Sequence, residues 1–591
     1  MIKMNKLLDC ISKVVEKAFE ESGYDAQYGR VTISNRPDLC EYQCNGAMAA
    51  AKKYGKAPFM IADQVQEILA KDPIFEQVES VKPGFLNLNL SKEFLCEFLQ
   101  EMEKDERLGC EKAKSPKTIM IDYGGPNVAK PLHVGHLRSA IIGESIKRIQ
   151  KFMGHEVWGD VHLGDWGLQM GLIITELKVR KPELAYFDDH YVGEYPIEAP
   201  FTLAELEEIY PYASALSKEN AEYKEAAMEA TNLIQQGKPG YRALLNQILK
   251  VSIADLKKNY ENLNVSFELW LGESDAQPYI PAMIEDFIER GFARESDGAL
   301  VIDVKEETDT KEIPPCLIRK ADGAALYATT DLATLISRME DYHPNEVLYV
   351  VDKRQDMHFT QVFRAAKKTG IVPQEVELNF LGFGTMNGKD GKPFKTREGG
   401  VMRLEHLLTD INKEMYTKIT ENHQVDEEQA KEIAKVVGLA AVKYGDLSNQ
   451  ASKDYIFDME RFTSFEGNTG PYLLYTIVRI KSILNKYNEM NVEKKDYPIL
   501  PAHSKSEKDL MALLALLNAN MEAASVETAP HKICAYIYEL ANAFNRFYHE
   551  TKILVQEDAA IQGSYIKLLT LTKRVMELCI DVLGFDAPDK M

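Results

Sequence analysis

The stretch Pro126-Asn127-Val128-Ala129-Lys130-Pro131-Leu132-His133-Val134-Gly135-His136 gathers residue types suited to handling phosphate. A short apolar run, Thr118 to Tyr123, precedes it and reads as a buried parallel strand. An amphipathic run follows, Leu137 to Met153. In it Ile142, Ile146, Ile149 and Met153 recur at helical spacing, and Gly154 stands where a helix stop belongs. Two histidines and a glycine therefore lie at a strand–loop–helix junction. From that position an α/β sheet presents a helix N-terminus, with free N–H groups and partial positive charge, to an anion. ATP as ligand would account for the spacing. Gly135 has no Cβ, so a flat adenine can lie against the backbone; His133 and His136 can donate to phosphate oxygens; Lys130 adds a fixed charge. Two histidines that merely cap a helix explain the tetrad by itself equally well.

A second cationic segment lies far downstream. Residues 382–400 carry the hairpin-turn dipeptides Asn387-Gly388 and Asp390-Gly391, three lysines including Lys395, and Arg397. Such a loop suits closing over a polyphosphate as negative charge builds up. Between the two segments, Glu346 to Asp352 has the continuous apolar run of a parallel-sheet interior, with Gln355, Asp356 and His358 at its carboxyl end. Tyr327 to Asp331 precedes a helical pattern over Leu332 to Met339, where Asp331 could serve only as an N-cap. Asp122 ends the first strand.

The elements that must position these groups fill three domains, as the length of 591 residues allows. Residues 1–110 read as a small α/β module, with a helix from Leu7, a strand at Val31 to Ser34 and a half-buried alternating strand ending at Leu90. Residues 111–455 form the nucleotide-binding domain, with an acidic helical insertion at about 178–250 and a mobile phosphate loop at 387–400. Residues 456–591 are nearly all helix. Eight scattered cysteines, with Cys40 and Cys44 the one close pair, make no zinc site and suit a reducing cytoplasm. No apolar run reaches membrane length. The net charge of −21 argues against a nucleic-acid partner only on average. Residues 471–591 carry 14 basic and 15 acidic residues, so a local basic face is open to RNA.

The Pro126–His136 stretch resembles the signature of class I aminoacyl-tRNA synthetases, and its Pro-Asn-x-Ala-Lys lead-in resembles the arginyl branch. Tyr327–Asp331, Glu466–Tyr475 and the ending Gly584 to Met591 are similar to that branch too. The resemblance implies a Rossmann-like catalytic domain, an N-terminal domain that contacts the tRNA elbow and an all-α anticodon-binding bundle. It implies a monomeric ligase that activates L-arginine with ATP and Mg2+, then charges tRNA(Arg). It assigns Pro126, His133, Gly135, His136 and Lys395 to ATP, and catalysis to His133, Gly135, His136, Lys130, Lys395 and Arg397. Phe394-Lys395-Thr396-Arg397 departs from the family's Lys-Met-Ser-Lys-Ser loop, and Lys130 supplies the missing charge. Asp122, Asn127, Tyr327, Asp331 and Gln355 occupy its arginine-binding positions. A guanidinium is a flat, permanently charged fork that paired carboxylates match, so Asp122 and Asp331 are expected to open onto one crevice. An adenylating enzyme that uses no RNA and an inactive RNA-binding relative are the other classes open to such a sequence.

Overall fold

The computed structural model describes residues 6–36, 38–130, 132–320, 326–392, 402–422, 426–490 and 495–591. The chain divides into two compact units, residues 115–418 with 449–462, and residues 1–114 with 419–448 and 463–591.

The first unit is built on a four-stranded parallel sheet. Its order is Glu377–Phe383, Glu346–Asp352, Thr118–Tyr123, Glu156–Asp160. The chain runs from Thr118–Tyr123 through the Val134–Phe152 helix to the Glu156–Asp160 strand, then returns much later on the other side. The strand order thus reverses at Thr118–Tyr123, and a crevice opens at the carboxyl ends there. The expected apolar runs are buried: Val347, Val350, Met120 and Ile121 are fully enclosed.

The helix that carries the histidine turn is pinned tightly to this sheet. Ser139 Oγ donates to the Val350 carbonyl at 2.6 Å and accepts from the Gly124 amide at 2.8 Å. Buried Arg138 donates to the carbonyls of Gly384, at 2.6 Å, and Lys453, at 3.1 Å. Gly143 faces the Tyr123 ring so closely that a Cβ would sit 2.3 Å from it. This helix begins at Val134, three residues before its apolar periodicity does, because His133 caps it.

The insertion comprises three helices, Leu203–Glu219, Ala221–Gln235 and Pro239–Asn262. A three-stranded antiparallel sheet is formed by Ala293–Ser296, Ala299–Ile302 and Cys316–Arg319, the first two joined as a hairpin at Asp297-Gly298. One helix starts earlier than its sequence periodicity indicates. Tyr327–Tyr342 follows directly on Leu326, which places Asp331 inside the helix and not at its N-cap; Asp356–Thr369 is the helix that follows the Glu346–Asp352 strand.

In the second unit, an antiparallel sheet of order Val31–Ile33, Tyr42–Cys44, Phe85–Leu90, Phe75–Val81 joins helices such as Leu7–Glu21 and Lys92–Lys104. The Phe85–Leu90 strand is covered more fully than alternation implied. Asn87 is buried and accepts a hydrogen bond from Gln43 Nε2 at 2.9 Å. The helices Glu427–Leu447, Gly470–Glu489, Lys505–Leu514, Leu517–Val526, Pro530–Glu550 and Ala559–Leu583 complete the unit.

Candidate active site

The histidine turn is organised by its own caps. His133 Nδ1 accepts from the Gly135 amide at 3.0 Å, and His136 Nδ1 accepts from the His133 amide at 3.2 Å. The two rings stack with centroids 3.9 Å apart. A ring nitrogen that accepts carries no proton, so each neutral imidazole bears its hydrogen on Nε2. Burial, and then Lys130, holds His133 below its ordinary value; burial, His133 and Lys130 hold His136 down at about 3. At neutral pH the turn therefore offers two uncharged N–H donors. Gly135 is exposed, and a Cβ there would come within 2.7 Å of the His133 ring, so the glycine makes room for the cap as well as for a ligand.

Left-handed backbone clusters at the same strand ends: Gly124 (φ 97°), Gly125 (φ 48°), Ala129 (φ 58°) and His162 (φ 42°). Such conformations persist only where surrounding contacts fix them. For Ala129 the contact is its amide on Ser252 Oγ, at 3.0 Å. Pro126 is buried and Asn127 exposed in this loop, which pairs with the next one through Val128 N–H on the Gly164 carbonyl and Gly164 N–H on the Pro126 carbonyl.

The acidic wall has two tiers. In the deeper one, Asp122 and Asp160 are partners across neighbouring strands, and Arg338 Nη2 donates to both, at 2.6 and 2.8 Å. His162 lies 3.7 Å from Asp160. Burial alone would lower this imidazole, but the nearby carboxylates of Asp160 and Asp122 raise it to about 9. In the outer tier, Asp331 Oδ2 is 2.5 Å from His358 Nε2. Glu273 stands beside them. Its amide donates to the Leu163 carbonyl at 3.0 Å, and the neighbouring Ser274 binds Asp165 through both amide and hydroxyl, at 2.9 and 2.6 Å. No cation pairs with Glu273 among the described residues. Burial, with Asp165 and Asp331 adding repulsion and His162 opposing, pushes its carboxyl up to about 7.

Cations flank the histidine turn. Lys130 Nζ sits 4.4 Å from the centre of the Tyr210 ring, and Arg403 Nη1 pairs with Glu207 at 2.9 Å; both partners belong to the Leu203–Glu219 helix. Arg403 also forms an antiparallel bridge with His133, so the start of the Leu404–Asn422 helix is stitched to the histidine turn. Lys389 pairs with Asp458 at 3.2 Å. Lys395 and Arg397 lie outside the described residues.

Known proteins match this chain along its length. The pattern for the catalytic domain of class I (R) tRNA synthetases matches residues 98–459, the DALR anticodon binding domain residues 473–591, and the arginyl-tRNA synthetase N-terminal domain residues 5–90. Curated arginine–tRNA ligases from Agathobacter rectalis and Alkaliphilus oremlandii are 65% and 55% identical, each over 100% of both chains. The chain belongs to the arginyl-tRNA synthetase family. The arginyl-tRNA synthetase fold is evident in two solved structures, from Plasmodium falciparum (TM-score 0.82, 24% identity, 100% of both chains) and Thermus thermophilus (TM-score 0.77, 22% identity, 99% of this chain and 100% of that one).

Against the arginyl-tRNA synthetase pattern, the structure departs from expectation at Asp122. That carboxylate was expected to open onto the crevice, yet it is buried and held by Arg338. Asp331 has a partner as well, His358, while Tyr327 (74% exposed) and Gln355 stand open to solvent. Glu273, which no cation pairs with among the described residues, is a residue that sequence reasoning missed. Its signal is slight: one acid after a glycine in Trp270-Leu271-Gly272-Glu273-Ser274, in a connection with neither helical nor strand period.

Proposed function

We propose that this chain is an arginine–tRNA ligase that joins L-arginine to ATP, releasing pyrophosphate, and transfers the arginyl group from the adenylate to the 3′-terminal ribose of tRNA(Arg). Whole-length likeness to curated arginine–tRNA ligases carries this reading. In the first step a carboxylate oxygen of arginine attacks the α-phosphorus of ATP, and the bond from that phosphorus to the pyrophosphate oxygen breaks. No protein nucleophile is required; positioning and charge stabilisation do the work. The Nε2–H groups of His133 and His136 donate to phosphate oxygens, and Lys130, Lys395 and Arg397 balance the charge of the leaving group. Glu273 and Asp331 hold the guanidinium, Tyr327 covers the alkyl stem, and Asn127 and Gln355 take the α-amino and α-carboxylate groups. The exposure of Asn127, Tyr327 and Gln355, and the uncompensated charge of Glu273, support these assignments.

Magnesium is the ion the reaction implies. Among the described residues, Asp122, Asp160 and His162 form the one cluster of metal-ligating type. They do not fit that ion, because Arg338 Nη2 already bridges the two carboxylates. Magnesium prefers substrate phosphates and water to a dedicated protein cage, so it enters with ATP. The same reading makes the enzyme a cytoplasmic monomer. None of its eight cysteines forms a disulfide, as suits a reducing compartment, and no described helix is long and apolar enough to cross a membrane. The test is pyrophosphate exchange with each of the twenty amino acids, with and without tRNA. Exchange is expected with arginine alone; equal exchange with another amino acid would overturn the assignment.

A further inference from the structure

The protein already places a guanidinium on the acidic strand ends, and that group is its own. Asp122 and Asp160 stand side by side on adjacent parallel strands, and Tyr349 is the neighbour of Asp122 on its other side. Arg338 reaches this row from the Tyr327–Tyr342 helix. It is fully buried, Nη2 bridges Asp122 and Asp160, and the guanidinium lies 5.4 Å from the centre of the Tyr349 ring. The same helix carries Asp331 seven residues earlier. Seven residues are close to two full turns, so the two side chains share one helix face.

We infer that Arg338 is a positioning residue for arginine recognition: it docks the Tyr327–Tyr342 helix at the depth where Asp331 meets the substrate, and it occupies Asp122 and Asp160 so that Asp331 and Glu273 are left for the substrate cation. This rests on the arginine-binding reading given above. A purely structural role is the competing account, and the physics separates the two. A buried ion pair contributes little net stability, because desolvation offsets the attraction, and an apolar replacement of the whole triad is often tolerated. Positioning, by contrast, needs a donor carried as far as Nη2 and a flat cation set against the Tyr349 ring; methionine lacks the donor, and lysine is shorter and has no plane to lay on the ring.

The test uses the full-length enzyme with tRNA. KM for arginine, KM for ATP and kcat are measured for Arg338→Ala, for Arg338→Lys and for a triple variant, Arg338→Met with Asp122→Asn and Asp160→Asn. Thermal melting monitors folding. A displaced Asp331 should raise KM for arginine roughly tenfold or more in all three, since small misplacements of a binding group are costly. KM for ATP should stay within about twofold of wild type, because the phosphate side is untouched. Free guanidinium ion, at concentrations that leave the wild type folded, should restore the arginine KM of Arg338→Ala while only inhibiting the wild type. Should Arg338→Ala fail to fold, the lysine and triple variants decide. A folded variant with wild-type KM for arginine overturns the inference, and so does a uniform loss across arginine, ATP and kcat. Asp331→Ala in the same assay separates the two layers: if it keeps a wild-type arginine KM, the arginine-binding reading itself fails; if it loses arginine while the Arg338 variants do not, only the positioning role fails.

Discussion

Replacing Glu273 by glutamine keeps the volume of the side chain and removes a carboxylate that has no ion-pair partner among the described residues. Its carboxyl stands at about 7, chiefly through burial, with Asp165 and Asp331 repelling the charge and His162 attracting it. A guanidinium binds the ionised form, so a protonated Glu273 must lose its proton when arginine arrives. With a midpoint near 7, about one molecule in ten carries the charge at pH 6 and about nine in ten at pH 8. Wild-type affinity for arginine should therefore fall about tenfold from pH 8 to pH 6, equivalent to about 1.4 kcal/mol. At pH 7 each bound arginine should release about half a proton. Calorimetric titration of arginine into the enzyme–tRNA complex, in two buffers of different ionisation enthalpy, counts that proton directly. Glu273→Gln should weaken arginine binding by roughly 2–3 kcal/mol, the worth of a charged hydrogen bond, and should release no proton. A flat wild-type affinity across this pH range, or a glutamine variant that keeps the wild-type slope, would refute the reasoning.

Asp331→Ala should raise KM for arginine by roughly 3–5 kcal/mol, as removal of one partner from a charge pair does, and leave KM for ATP nearly unchanged; aminoacylation kinetics check both. His136 sits far below its unfolded value, so only the unfolded chain takes up that proton between about pH 6.5 and 3. Stability should fall with pH in that window by about 1.4 kcal/mol per unit, and urea titrations of His136→Asn should show a shallower slope. His162 is shifted the other way, to about 9, so its contribution is complete below about pH 6.5 and lost as pH rises through 9. His162→Gln should flatten that alkaline loss in the same titrations. Gly143→Ala forces a Cβ against the Tyr123 ring and should cost roughly 1–3 kcal/mol by overpacking, read as a lowered melting temperature.

The parts of this architecture that sequence reveals are those encoded locally. Thr118–Tyr123 and Glu346–Asp352 are apolar runs whose only stable place is a covered parallel sheet, and the helix after the histidine turn declares itself by its period. What the sequence hides is set by distant partners. Asp122 looked like an open ligand because the group that holds it, Arg338, lies 216 residues away. Glu273 looked like an ordinary loop acid because its place depends on pairing with Leu163, more than a hundred residues earlier. The early start of the Tyr327–Tyr342 helix was masked by Thr329 and Thr330, poor helix formers whose burial decides the matter. Even the histidine tetrad admitted two readings. Both describe the molecule, since the rings cap the helix through Nδ1 and keep Nε2 for a ligand.

The Leu203–Glu219 helix carries a practical consequence. Tyr210 and Glu207, one turn apart on it, each restrain a basic side chain at the edge of the histidine turn. A shortened catalytic core that deleted this helix as a dispensable embellishment would keep every signature residue and still set Lys130 and Arg403 loose. Any minimised or grafted version of the enzyme should retain that helix, together with the register that aligns those two anchors.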